Sequence, residues 1–286
     1  ALADAGVDRL ADMTGFRPTN RVAVYIYENA QALRGGLIFP GEFVGGVAYP
    51  NYGLVAVGMS PANWDWGRRA IVHEITHVVL GQKTFVCGAN IPAWLNEGIA
   101  MYNEGPLEPH FEEALSSAIK EDKVLSLGSI AGAFPDDRQG VMLSYAQSFS
   151  VAEYLLANHG ADGMEALLSG FAATGDIEQA LIEAYGFGRV DLENRWRESV
   201  GLQARDSQSA PDRIRLPEIE PLMLPTPGQQ LTGANEGRLE SPPVNSGVKG
   251  SSGAGCTRTN GDVSGVDGAL ATMFGLVSVL ALRRTP

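Results

Sequence analysis

Residues 70–80 read AIVHEITHVVL, two histidines four positions apart with a glutamate between them, inside an otherwise apolar run. No other stretch constrains the fold as strongly. Buried polar groups are costly unless each finds a partner, so His73, Glu74 and His77 must meet something specific in the interior. The pattern over 64–80 predicts a helix, with Gly81 placed as a left-handed cap would be. On a helix, positions four apart lie one turn apart on one face, so His73 and His77 can bind a single ion together. Glu74 sits next to His73 around the helix, in reach of a water on that ion without ligating it. Neutral imidazoles with one place left open for water are what zinc takes in a catalytic site, and HExxH is its sequence form.

Two imidazoles leave such a site short of a protein ligand. A third histidine six residues after the second, preceded by a glycine, is excluded, because Leu80 and Lys83 stand there. The other two histidines read as exposed or capping residues: His110 near a helix start and His159 at a helix end. Glu97, twenty residues after His77 in WLNEGIAMY, is the best third ligand. A helix–loop–helix of that length can return its carboxylate to the metal face, and its apolar neighbours speak against a solvated charge. Cys87 lies between the two motifs. A fourth protein ligand would close the site to water, so this cysteine reads as a lone thiol.

Around these motifs the chain reads as a small sheet with a larger set of helices. LADAGVDRLADM has helical spacing, RVAVYIYE (21–28) alternates as a strand, and GGVAYP and GLVAVGM are short strands. PAWLNEGIAMYNEG begins with proline and ends at glycine, the usual asymmetry of a helix. Further helical patterns cover 108–123, 141–159, 161–173, 176–185 and 190–201. The expected class is α+β: a small mixed or antiparallel sheet packed on a mainly helical body that carries the HExxH helix. A net charge of −12 with no basic stripe excludes a nucleic-acid-binding surface.

The domain expected from this pattern spans residues 1–203. Residues 204–267 are rich in Pro, Gly and Ser and read as a flexible linker. Residues 268–286 hold a charge-free apolar segment ending at Arg283 and Arg284. Its 15 residues from Gly268 to Leu282 would rise roughly 22 Å as a helix, short of a bilayer core of about 30 Å. The arginine pair would face the cytoplasm and leave everything before it outside. Together with Cys256, this segment resembles the cysteine-containing C-terminal sorting tails of some bacterial surface proteins. That resemblance implies export, attachment to a membrane or cell surface, and a bacterial envelope. The contexts of Cys87 and Cys256 differ so much that a disulfide between them is not expected.

HEITH followed by IPAWLNEGIA resembles the gluzincin metallopeptidases, in particular the peptidase MA-like group of bacterial zinc hydrolases. SYAQSFSVAEYLLANHG is similar to that group's later tyrosine-bearing helix, and YGFGRVDLENRWRESV to its closing helix. The resemblance covers roughly residues 5–203. It implies one zinc ion per chain on His73, His77 and Glu97, with Glu74 as general base toward a zinc-activated water. It also implies a peptide or protein substrate and the active helix lying beside the sheet. Tyr145, from its place in the resembling helix, becomes the candidate donor to the oxyanion. One departure stands out: relatives often carry an acid where this chain has Met101. The partner that fixes a ligand histidine is then either a backbone carbonyl or another acid such as Glu104. A strand near 53–58 is a candidate for holding an extended peptide by backbone pairing. The rival from another class is a catalytically silent surface protein that keeps the fold for binding. Endopeptidase and aminopeptidase both remain open.

Overall fold

The computed structural model describes residues 2–37 and 45–205 and the backbone of 278–281. Helix α1 (Leu2–Thr14) buries a stripe of Ala3, Gly6, Val7, Leu10 and Met13, the three- and four-residue spacing of one helix face. Strand β1 (Ala23–Tyr27) follows, then the short helix α2 (Ala30–Gly35), whose first turn is capped by the Asn29 side chain. Strands β2 (Gly46–Tyr49) and β3 (Leu54–Gly58) flank a 3-10 turn at Pro50–Tyr52. β3 pairs parallel with β1 and antiparallel with β2, giving the mixed sheet that the sequence pattern predicts. Val24, Val55 and Val57 are fully buried on the inner face, against the helix that follows.

That helix, α3 (Trp64–Lys83), is the HExxH helix. Its apolar face of Ile71, Ile75, Val78, Val79 and Leu80 is buried, and each such side chain contributes roughly 1.5–3 kcal/mol. Gly81 does not cap it. The helix runs on through Lys83, and Thr84 closes it with backbone and hydroxyl bonds to the Leu80 carbonyl. Gly81 serves packing instead: a Cβ there would stand 2.6 Å from Pro50, so the glycine lets α3 approach the β2–β3 turn.

Helix α4 (Ala93–Glu104) comes next, entered from Pro92 and left at Gly105 as expected. It lies so close to α6 (Arg138–Thr174) that a Cβ on Gly98 would overlap the Ser148 carbonyl. Between α4 and α6 in the chain comes α5 (Pro109–Lys120). α6 is broken at Gly160, whose φ of 69° and ψ of −174° are not helical, so the two patterns ending and starting there are separate helices joined at a kink. Helices α7 (Ile177–Tyr185) and α8 (Arg189–Ser199) complete the body. A buried polar bracket ties three elements together: the Asn103 side-chain amide donates to the Gly6 carbonyl on α1 and to Thr76 on α3, at 3.1 and 2.9 Å.

After α8 the chain folds back and remains bonded to the helices through Arg205. Arg197, 2% exposed, pairs with Asp122 at 2.8 Å and donates to the Gln203 carbonyl. Glu193 accepts from the Leu127 amide and from Arg205, each at 2.8 Å. Residues 206–277 and 282–286, which hold nearly all of the expected linker and apolar tail, lie outside the described residues. The exception is β4 (Ser278–Ala281), whose backbone pairs antiparallel with β1. Among the described residues no helix is long and apolar enough to cross a membrane. Cys87 is not a lone thiol but half of a disulfide. The chain's other cysteine, Cys256, lies outside the described residues. Dissimilar sequence context says nothing about separation in space, which is why the expectation of an unpaired Cys87 fails.

Candidate metal centre

Helices α3 and α4 pass one another in opposite directions, and their facing sides interleave. Arg69, His73 and His77, spaced four apart on α3, meet Glu104, Glu97 and Asn96 in reverse order on α4. Glu97 Oε2 is 3.2 Å from His73 Nε2 and 3.4 Å from His77 Nε2. The two rings stand nearly perpendicular, 85° apart, with centroids at 4.6 Å. Each ring's other nitrogen is taken: His73 Nδ1 lies 2.6 Å from Glu104 Oε1, and His77 Nδ1 lies 3.2 Å from Asn96 Oδ1. Each Nδ1–H donates outward to an oxygen, which leaves both Nε2 lone pairs aimed at one place beside Glu97.

This donor set fits a zinc-sized ion. Donors held about 2.0–2.1 Å from a tetrahedral ion lie roughly 3.3–3.4 Å from one another, and the two histidine–Glu97 separations fall within about 0.1 Å of that. Hydrogen bonds alone explain the arrangement poorly. For both Nε2 atoms to donate to Glu97, both imidazoles would have to be cationic while in ring contact. Among the described residues, His73, His77 and Glu97 are the one group of three such side chains able to hold a metal ion.

The electrostatics follow from burial and crowding. Burial pushes His73 down, but hydrogen bonds to Glu104 and Glu97 outweigh it and hold the imidazole well above its ordinary value. His77 is raised in the same way, burial being overcome chiefly by Glu97. For Glu97, burial acts upward, and the two histidines overcome it to hold the carboxyl far below the usual range. Glu74 goes the other way: burial raises it, and the histidines only partly offset that.

Sequence comparison agrees with this geometry. The model of the Peptidase MA superfamily matches residues 2–201. The chain belongs to the Peptidase MA superfamily. Its fold is therefore that of a peptidase-type hydrolase, in a superfamily that is in general metal-dependent. Against curated proteins the chain has no significant match.

Within this superfamily fold the centre opens into a cleft of about 410 Å³, lined among others by Gly46, Ala48, Pro50, Glu74, Ile91 and Tyr145. Tyr145, on α6, packs edge-on against Phe134 at 5.1 Å and faces the same cleft as Glu74 and Glu97. Burial, then the charges of Glu97, Glu74 and Glu104, push its hydroxyl pKa well up, so it stays a hydrogen-bond donor. His110 is exposed and stacks on Phe111, and His159 stacks on Tyr185; neither joins the centre. Strand β3 cannot take an extended peptide, because both its edges are already paired. β2 is the strand on the cleft, with β3 as its one strand neighbour among the described residues.

Arg69, Asn96 and Gly46 escape a reading by motif, and Glu104 enters it only as one of two alternatives. Glu104 takes the role left open by Met101, which is buried, and Arg69 bonds Glu104 in turn. Asn96 precedes Glu97 and holds the second histidine. Gly46 is required by contact: a Cβ there would stand 2.5 Å from Glu74 Oε1. The four-residue step from Arg69 to His73 and the seven-residue step from Glu97 to Glu104 are the sequence signals that place these groups on the facing sides.

Proposed function

We propose that this chain is a zinc-dependent peptidase of the gluzincin type, acting on peptide or protein substrates. The observation that carries this reading is that Glu97 Oε2 lies 3.2 Å from His73 Nε2 and 3.4 Å from His77 Nε2, with Glu74 lining the same cleft. These three residues would hold one zinc ion, which supplies a Lewis acid for the scissile carbonyl and acidifies water toward neutral pH. Glu74 accepts the proton of the attacking water at its carboxylate and later delivers it to the leaving amine. Its raised pKa suits that exchange, because a proton acceptor works best when its pKa approaches the working pH. Tyr145 donates from its hydroxyl to the oxyanion as the carbonyl becomes tetrahedral. The edge of β2 that no described strand pairs aligns an extended substrate backbone over the cleft by strand pairing.

The disulfide at Cys87 favours an oxidising compartment, and the apolar tail with its arginine pair favours a cell-surface tether at a bacterial envelope. The peptidase domain would then act outside the cytoplasm, followed by a flexible linker and a terminal anchor or sorting segment.

The deciding experiment is Glu74→Gln. The expected result is loss of peptide cleavage by about 10²- to 10⁴-fold, with one zinc per chain still bound by elemental analysis. Undiminished turnover in that variant would remove the proposed base. A wild-type chain that binds zinc yet cleaves nothing in a broad peptide pool would favour a silent binding protein on the same fold. Mass spectrometry of the products from that pool also distinguishes internal cuts from stepwise removal at the amino end.

A further inference from the structure

Resting on the metal-centre reading above, we propose that Glu104, oriented by Arg69, is a positioning residue that sets the zinc affinity of His73. Glu104 is the last residue of α4, where the carbonyl end of the helix disfavours an acid. A broken local rule of this kind points to a use elsewhere. The carboxylate lies two turns from Glu97, on the same side of the helix. Each of its oxygens has one partner. Oε1 takes the His73 Nδ1–H at 2.6 Å, shorter than the other imidazole contacts in the centre, and Oε2 takes Arg69 Nε at 3.1 Å. Arg69 stands one turn before His73 on α3, and its Nη1 also donates to the Pro106 carbonyl at 3.1 Å. The guanidinium thus has two separate partners, one of them the backbone after α4.

The two ligand histidines are therefore unequal. His77 donates to a neutral amide oxygen, Asn96, at 3.2 Å, whereas His73 donates to a full carboxylate at 2.6 Å. A charged acceptor on Nδ1–H fixes the ring and makes Nε2 the stronger donor, and charge-assisted bonds are about twice as strong as neutral ones. His73 becomes the ligand that anchors the ion. Arg69 acts only through Glu104: it holds the carboxylate turned toward the ring.

The test is a double-mutant cycle on the full chain, with zinc affinity read by competition against a chromophoric chelator. Glu104→Gln keeps the shape and removes the charge; the expected result is zinc binding weakened about 10- to 100-fold. Arg69→Met is expected to weaken it less, about 3- to 10-fold, and the double variant no more than Glu104→Gln alone, because one residue works through the other. Thermal melting of the metal-free variants checks that they fold; should Glu104→Gln fail to fold, Arg69→Met alone carries the test. Wild-type affinity in the folded variants, or full additivity of the two losses, overturns the proposal while leaving the metal centre intact. A wild-type chain that takes up no zinc overturns the centre itself.

Discussion

Two groups of charged side chains among the described residues differ in their balance, one around α8 and one between α3 and α4. Around α8, the carboxylates of Glu193 and Asp122 face the guanidiniums of Arg205 and Arg197, two against two. Between α3 and α4, the carboxylates of Glu74, Glu97 and Glu104 face one guanidinium, Arg69, beside two imidazoles that are neutral in the ligand form. The first group is complete with the side chains present. With both imidazoles in that neutral form, the second is short by two positive charges, which is the deficit a divalent cation fills. A balanced group holds the chain shut, and an unbalanced group is a binding site. Counting buried charges in each region separates the two without appeal to sequence motifs.

The comparison breaks most readily on metal removal. Chelation is expected to abolish cleavage, and restoring zinc at a thousand times its dissociation constant should stabilise the fold by about 4 kcal/mol. Calorimetry with and without zinc checks this; an unchanged melting temperature would mean that the α3–α4 group is already satisfied. Next in size is Gly46→Ala. Its Cβ would crowd the Glu74 carboxylate at 2.5 Å. Displacing a catalytic group by such amounts costs on the order of 10²-fold in turnover, with zinc affinity unmoved because Glu74 is not a ligand.

On the structural side, Arg197→Met leaves the Gln203 carbonyl and Asp122 without their partner. Asp122 is more than half exposed, so the expected loss is about 1–3 kcal/mol of stability, seen in urea unfolding, with zinc affinity unchanged. A shift in both quantities would mean that the two charge groups are coupled. The smallest effect concerns His159. Burial, then Arg195, holds its pKa below the ordinary value. The unfolded chain therefore binds this proton more readily, so its contribution is whole above about pH 6.5 and fades as pH falls below it. His159→Gln should slightly flatten the decline of stability below that pH, while the zinc-linked stabilisation keeps its own pH dependence.

Much of the fold was legible along the chain. Apolar spacing marked α1 and α3, proline and glycine bounded α4, and alternation marked the strands, because these depend on neighbours within a turn or a strand. The site was legible as far as local geometry carries: HExxH places two imidazoles on one helical face. What the pattern could not reveal was which distant backbone comes close. Gly81 looked like a helix stop and proved to be a contact with Pro50, and Gly46 carried no signal of its own. The strand near 53–58, β3, looked fit to hold a peptide until the strand order put it inside the sheet. Cys87 gave no hint of its disulfide.

The sequence by itself therefore determined the donor types, the helix that presents two of them, and the sign of the protein's charge, since each follows from residue identity and short-range periodicity. The tertiary structure alone decided that α4 runs antiparallel to α3 at a distance where Glu97 meets both imidazoles, Glu104 meets only the first and Asn96 only the second. Those pairings span 19 to 31 residues. They are set by the packing of α4 against α6 and of α3 against the sheet, which no local rule encodes.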